Sequence, residues 1–317
     1  MATSASSSHH RAANAATIVL AFAGVYFFWG STFTAIRVGV QTMPALLMGG
    51  ARYVISGMLM LAWCGWRGYR LWAPLREMAM VALIGLLLLG GGNVGLIYAE
   101  RVVPSVLASL LYAGTPLYAA LVERFLPGGE PISRRGWLGL LLGFAGLCAM
   151  LVPSMQTGIH GDRTLLISLA VLIGGTFSWA AGGLVQRHTR LKVNIFVAAG
   201  WQMLIAGLTA ELLGTLAGEW PAFRPNAAGW GAVAYLVTGG SLIGYTAFIY
   251  LLENVPVAKV MSYTYVNPVV AVLLGMVLLG ERLVASEYVG MAAILVAVFL
   301  LTTAKIQKRP AADEPQS

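Results

Sequence analysis

The groups in this chain that could break or make bonds are few, and their spacing organises no such chemistry. Its four histidines (His9, His10, His160, His188) share no metal-ligand spacing, and its two cysteines (Cys64, Cys148) sit in apolar stretches without a CxxC pair or a disulfide framework. Of the twelve carboxylates, Glu77, Glu100, Glu123, Glu130, Glu219, Glu253, Glu281 and Glu287 fall in loops or at helix ends, Asp162, Asp313 and Glu314 in loop or tail, and Glu211 near one end of an apolar run. Gly90-Gly91-Gly92-Asn93-Val94-Gly95 matches GxGxxG in form, but it interrupts a hydrophobic run and no strand precedes it, so dinucleotide binding is dismissed. No Walker sequence is present either. No cofactor and no metal are expected, and the chain does not read as an enzyme.

What remains is chemistry of recognition. Trp29, Asn93, Tyr112, Trp179, Gln202, Tyr245 and Tyr263 carry an apolar body with a polar tip, or an amide, at depths that suit the wall of a cavity holding an amphipathic solute. The competing role for Trp and Tyr is anchoring at the lipid headgroups, and it fits Tyr98 and Tyr250, which lie near loops. Thr115-Pro116 and Asn267-Pro268 place a proline inside apolar runs. There it frees a backbone carbonyl, so a hinge beside a cavity is expected, with Thr115 or Asn267 bonding the opened turn. Two cations enter apolar runs. Arg52 lies deep enough to cost about 2.5–3.5 kcal/mol uncompensated, and it could meet a substrate carboxylate or clamp helix ends. Lys259 could contact an anion, but it lies within snorkelling distance of the membrane face.

The elements that must position these groups are membrane helices. With 58% hydrophobic and 10% charged residues and a mean hydropathy of +0.78, the 317-residue chain is far more apolar than the roughly 45–50% of soluble domains. The net charge of +8 comes with no basic run or aromatic-interleaved basic patch, so nucleic acid is not an expected partner; membrane lipids are. Apolar stretches predict ten spans, about 17–36, 44–66, 75–98, 103–123, 136–152, 164–186, 193–216, 227–252, 257–279 and 286–303. Residues 1–16 and 304–317 read as solvated, disordered ends.

The chain also says one thing twice. Ile97-Tyr98, Val103-Pro104 and Thr115-Pro116 return as Ile249-Tyr250, Val255-Pro256 and Asn267-Pro268, shifted by 152 positions. Trp29 and Arg37 return as Trp179 and Arg187, and Gly50 and Gly57 as Gly200 and Gly207, at a shift of 150. Two five-helix repeats are predicted, 17–152 and 164–303, and an odd number of spans per repeat inverts the second copy in the membrane. With the N-terminus cytoplasmic, thirteen of the twenty Lys and Arg residues fall on the inner side and five on the outer, so both termini are expected in the cytoplasm.

Phe28-Trp29-Gly30-Ser31 in the first span, Thr115-Pro116 and Asn267-Pro268 in the fourth and ninth, and Gly129-Glu130 and Gly280-Glu281 after them resemble the EamA family of drug/metabolite transporters. Ser262 to Gly275 is similar to the bacterial inner-membrane exporters of that family. The resemblance covers nearly the whole chain. It implies an all-α, polytopic inner-membrane protein, two inverted repeats around a central cavity, and export or exchange of small metabolites, often amino acids or amphipathic drugs, by alternating access. It also implies a structural role for Arg52, since an arginine there is common in the family across substrates. With no mid-membrane carboxylate, facilitated transport or exchange is favoured over proton antiport, with Glu211 the fallback titratable group. The partners expected are a small-molecule substrate and lipid, with monomer and dimer both open. The runner-up reading is an antiporter of phosphorylated sugars or nucleotide-sugars, and a remote one is a membrane-embedded lipid enzyme.

Overall fold

The computed structural model describes residues 15–125, 134–159, 162–189, 191–255 and 263–303. Lys259, Glu130 and the two tails lie outside them. The described chain is helical. α1 (Ala15–Gly39) and α2 (Ala45–Trp66) are followed by α3 (Leu75–Gly85), which passes through a π-helical segment (Leu86–Val94) into α4 (Gly95–Ala99). Next come α5 (Ser105–Tyr112), α6 (Thr115–Phe125) and α7 (Arg134–Ile159), then α8 (Arg163–His188) and α9 (Ile195–Leu216). α10 (Ala227–Tyr235) runs through a second π-helical segment (Leu236–Tyr245) into α11 (Thr246–Asn254), and α12 (Tyr263–Leu278) and α13 (Ala285–Thr303) complete the chain. Among the described residues, six helices are long and apolar enough to cross a membrane, and Val266–Leu278 and Ala285–Ala297 are shorter apolar helices. Leu138 and Leu141 of α7, Val277 of α12 and Val289 of α13 stand exposed, an outer surface suited to lipid rather than water.

The sequence echo is visible in the backbone. The two π-helical segments begin at Leu86 and Leu236, 150 positions apart, and Gly68 and Gly218, again 150 apart, both end a helix with φ near 70° (76° and 70°). Only glycine adopts that conformation freely. α2 and α9, which carry the Gly50/Gly57 and Gly200/Gly207 pairs, cross antiparallel. A Cβ on Gly57 would stand 2.6 Å from the Leu204 nitrogen, and one on Gly207 would stand 2.5 Å from that of Val54. Shifting both partners of the first contact by 150 gives the second, so the two helices are related by a local two-fold axis.

The prolines behave differently from one another. The expected fourth span is broken: α5 stops at Tyr112, and Thr115 and Pro116 open α6, where proline's missing N–H is one that no helix turn would have bonded. The Thr115 hydroxyl donates to the Tyr112 carbonyl at 2.6 Å, bridging the break. Pro268 instead lies inside α12. The fifth span reaches Ile159, seven residues past the expected 152, before Asp162 caps α8 by accepting from the Leu165 N–H at 2.9 Å.

Glutamates from distant loops complete two helix starts. α2 and α5 are each preceded by a proline, Pro44 and Pro104, whose side chain cannot cap. Glu219 supplies an Oε2 acceptor to the N–H groups of Leu46 and Leu47 at 3.1 Å. Glu281 accepts from the N–H groups of Ser105 and Val106 at 2.9 and 2.8 Å and from the Ser105 hydroxyl at 2.9 Å. Hydrogen bonds to a charged group are each worth about 1.5–3 kcal/mol net. Glu281→Ala is therefore expected to lower the unfolding temperature of the detergent-purified protein by several degrees, read by thermal size-exclusion, with Glu281→Gln recovering part of the loss.

Candidate functional site

The two π-helical segments face the middle of the bundle, and their extra residue per turn turns backbone groups toward the first helix of each half. Trp29 on α1 donates its indole N–H to the Gly240 carbonyl of the second segment at 3.1 Å. Trp179 on α8, the position equivalent to Trp29, lies against Gly92 of the first, where a Cβ would stand 3.0 Å from the indole. Ser178 beside it donates to the Leu87 carbonyl at 2.7 Å. The small residues 90–95 thus let aromatic rings reach the backbone, a use that the formal GxGxxG match does not hint at.

Between the segments lies a cleft of about 750 Å³, counting its open mouth. One wall is aromatic. The Trp29 ring stands 6.2 Å from Trp179 and 5.1 Å from Tyr263, both edge-on, and Tyr112 stands 6.0 Å from Trp179 and 6.1 Å from Phe33. Another part of the lining is polar. Arg52, 3% exposed, donates from Nε to the Ser241 hydroxyl at 3.2 Å and from Nη1 to the Asn93 carbonyl oxygen at 3.0 Å, and its guanidinium lies 4.7 Å from the centre of the Tyr53 ring. Among the described residues no carboxylate pairs with it. Among the described residues no carboxylate lines the cleft, and Arg52 is the one charged side chain that does. Two further polar atoms of lining residues, the Tyr112 hydroxyl and Asn267 Oδ1, have no hydrogen-bond partner in the described protein.

The structure places Trp29, Asn93, Tyr112, Trp179, Tyr245 and Tyr263 in this wall, together with Thr115, Asn267, Pro268 and Arg52. Gln202 is buried behind it, accepting the Tyr245 hydroxyl at 2.8 Å, and Pro116 stays outside it. Glu211 packs on Gly50, away from the lining. Tyr53, Thr32, Phe33, Ser109, Met203 and Ser241 line the cleft without having been singled out by type. Ser241 and Tyr53 carried a signal, since one lies in a small-residue run like 90–95 and the other follows the buried arginine.

Known proteins match along the whole length of the chain. The profile of the EamA-like transporter family matches residues 16–152 and again 166–303. An uncharacterized inner membrane transporter of Escherichia coli K12, YedA, is 38% identical over 282 residues, covering 89% of each chain. A probable terminal-alkyne amino-acid exporter of Streptantibioticus cattleyicolor is 28% identical, covering 90% of this chain and 94% of its own. A solved crystal structure, 21% identical, shares the fold with a TM-score of 0.62 over 91% of this chain and 98% of that one. Apolar helices, a central aromatic cleft and two matched segments that account for nearly the whole chain agree: the protein belongs to the EamA-like transporter family and is a polytopic membrane transporter.

Proposed function

We propose that the protein exports or exchanges small metabolites bearing one carboxylate, amino acids with aromatic or hydrophobic side chains foremost, across the bacterial inner membrane by alternating access. The observation that carries this reading is the composition of the cleft: among the described residues, an aromatic wall and one buried cation without a carboxylate partner, with no carboxylate in the lining. A zwitterion fits both ends. Its carboxylate meets Arg52 and Ser241, its ammonium finds free acceptors in Tyr112 and Asn267, and its side chain lies on Trp29, Trp179 and Tyr263. The repeat itself argues for a substrate role of Arg52, because the equivalent position in the second half is the neutral Gln202, so the fold does not demand charge there. The amino-acid exporter among the relatives points the same way. A phosphorylated sugar would bring two negative charges to one cation, which disfavours the antiporter reading.

In this reading the chain has ten spans in two inverted five-helix repeats, both termini in the cytoplasm. The antiparallel crossing of the equivalent helices α2 and α9 supports it.

The test is counterflow in proteoliposomes: labelled phenylalanine taken up against internal unlabelled phenylalanine, with competitors added outside. Leucine is expected to compete, whereas phenethylamine, which lacks the carboxylate, and glucose 6-phosphate are not. Trp179→Ala is expected to slow counterflow about tenfold, an effect of about 1.4 kcal/mol, at unchanged membrane abundance. Competition by the amine, or exchange of the sugar phosphate alone, would overturn the substrate class.

A further inference from the structure

Glu100 closes the α4 turn at the end of the bundle where Pro104, Glu281 and Arg37 also meet. By position it is a helix-end carboxylate of the sort that normally reaches water. Its exposure is 0%, and neither side-chain oxygen has a hydrogen-bond partner. Two charged groups face it from neighbouring elements. Arg37 of α1 spends its Nη1 donor on the backbone carbonyl of Glu100, and Glu281, ahead of α13, is committed to the start of α5. The adjacent Arg101 turns away, bonding the Tyr98 carbonyl at 3.1 Å and lying 3.7 Å from the centre of the Tyr98 ring.

A buried carboxylate with no donor costs several kcal/mol, far more than the buried acid. We propose that Glu100 is a proton-binding site: its carboxyl is neutral in this conformation and releases the proton when the helix ends around it part and Arg37 or water can reach its oxygens. Burial pushes the carboxyl well above the usual carboxylate range, the Glu281 carboxylate adds to this, and Arg37 opposes it. The sign follows. Acid favours the conformation seen here, and raising the pH favours the one in which the ends are apart, so proton binding and opening at this end exclude one another. One proton leaves on opening and rebinds on closing at this same end, with no other bond changed.

Two measurements test this, and only the second rests on the transport reading above. In infrared spectra of the purified full chain near neutral pH, a protonated-carboxyl band is expected that vanishes on alkaline titration of the wild type and is absent in Glu100→Gln. In proteoliposomes with equal pH on both sides, wild-type phenylalanine counterflow is expected to slow on the order of tenfold as the pH is lowered, because the protonated carboxyl holds this end closed. Glu100→Gln, which mimics the protonated form, is expected to stay slow and to lose that pH dependence. No titrating band in the wild type, or a pH dependence of counterflow kept in Glu100→Gln, would overturn the site. If phenylalanine counterflow is missing in the wild type, the substrate reading fails, and the infrared result alone decides the proton site.

Discussion

Gly207→Leu is expected to leave almost no folded protein in the membrane. A Cβ at this position would stand 2.5 Å from the Val54 nitrogen, 2.8 Å from the Tyr53 carbonyl carbon and 3.0 Å from the Gly50 oxygen. All three are backbone atoms of α2, so no side chain can swing aside; the helices themselves must separate. Overpacking a core costs about 1–3 kcal/mol when side chains give way, and a forced backbone shift along the α2–α9 crossing costs more. Against a total stability of about 5–15 kcal/mol, that decides whether the chain folds. Gly57→Leu is expected to match it, since its Cβ would stand 2.6 and 2.8 Å from the Leu204 nitrogen and the Gly200 oxygen. Gly183→Ala, at a helical glycine with open space beside it, serves as the control and is expected to be neutral. Membrane abundance and the monodisperse fraction of a fluorescent fusion on size-exclusion chromatography read all three. A monodisperse Gly207→Leu protein at wild-type level would mean that α2 and α9 do not cross at these residues.

The second large effect is on recognition. Arg52→Met is expected to lower amino-acid counterflow about a hundredfold while changing abundance little. The transport loss follows from removing a charge-assisted bond to the carboxylate, worth about 2–3 kcal/mol, at tenfold per 1.4 kcal/mol. The small effect on folding follows because two terms oppose each other: Asn93 and Ser241 lose a donor, but a charge no longer has to be buried without a counter-ion, and methionine of similar length fills the space. Arg52→Lys keeps the charge but not the two-directional fork that holds Asn93 and Ser241, so an intermediate rate is expected. A sharp fall in abundance with transport per molecule unchanged would instead mark Arg52 as a clamp between helices, the role that its frequency in the family implies.

What could be read in the sequence was what repeats. The duplicated halves, the glycine pairs of α2 and α9, the paired tryptophans and the buried arginine all show as recurrent or anomalous letters, and each marks a place where the structure has a close contact. What could not be read was which residue a given letter meets. Ser241 is an ordinary small residue until a π-helical turn presents it to Arg52, and π-turns have no sequence period to betray them. Gln202 is an amide in a span like Asn93, yet Tyr245 stands between it and the cleft. Glu100 misleads most, because a glutamate next to an arginine at a helix end reads as solvated, and only its tertiary burial removes the water. Burial of a polar group is a tertiary property, and a single sequence records it weakly.

The aromatic contacts at the centre cross between the halves. Trp29 reaches the Gly240 carbonyl, 211 residues away, and Ser178 reaches back to Leu87, 91 residues away. A chain made from its N-terminus inserts α1 long before the segment that receives its indole exists, so the first helix must wait in the bilayer with a polar edge unmet. Neither half can close its own centre. A gene split between α7 and α8 would therefore yield two fragments that are each incomplete alone and that assemble only on meeting, with the substrate cleft forming as the last event of biogenesis.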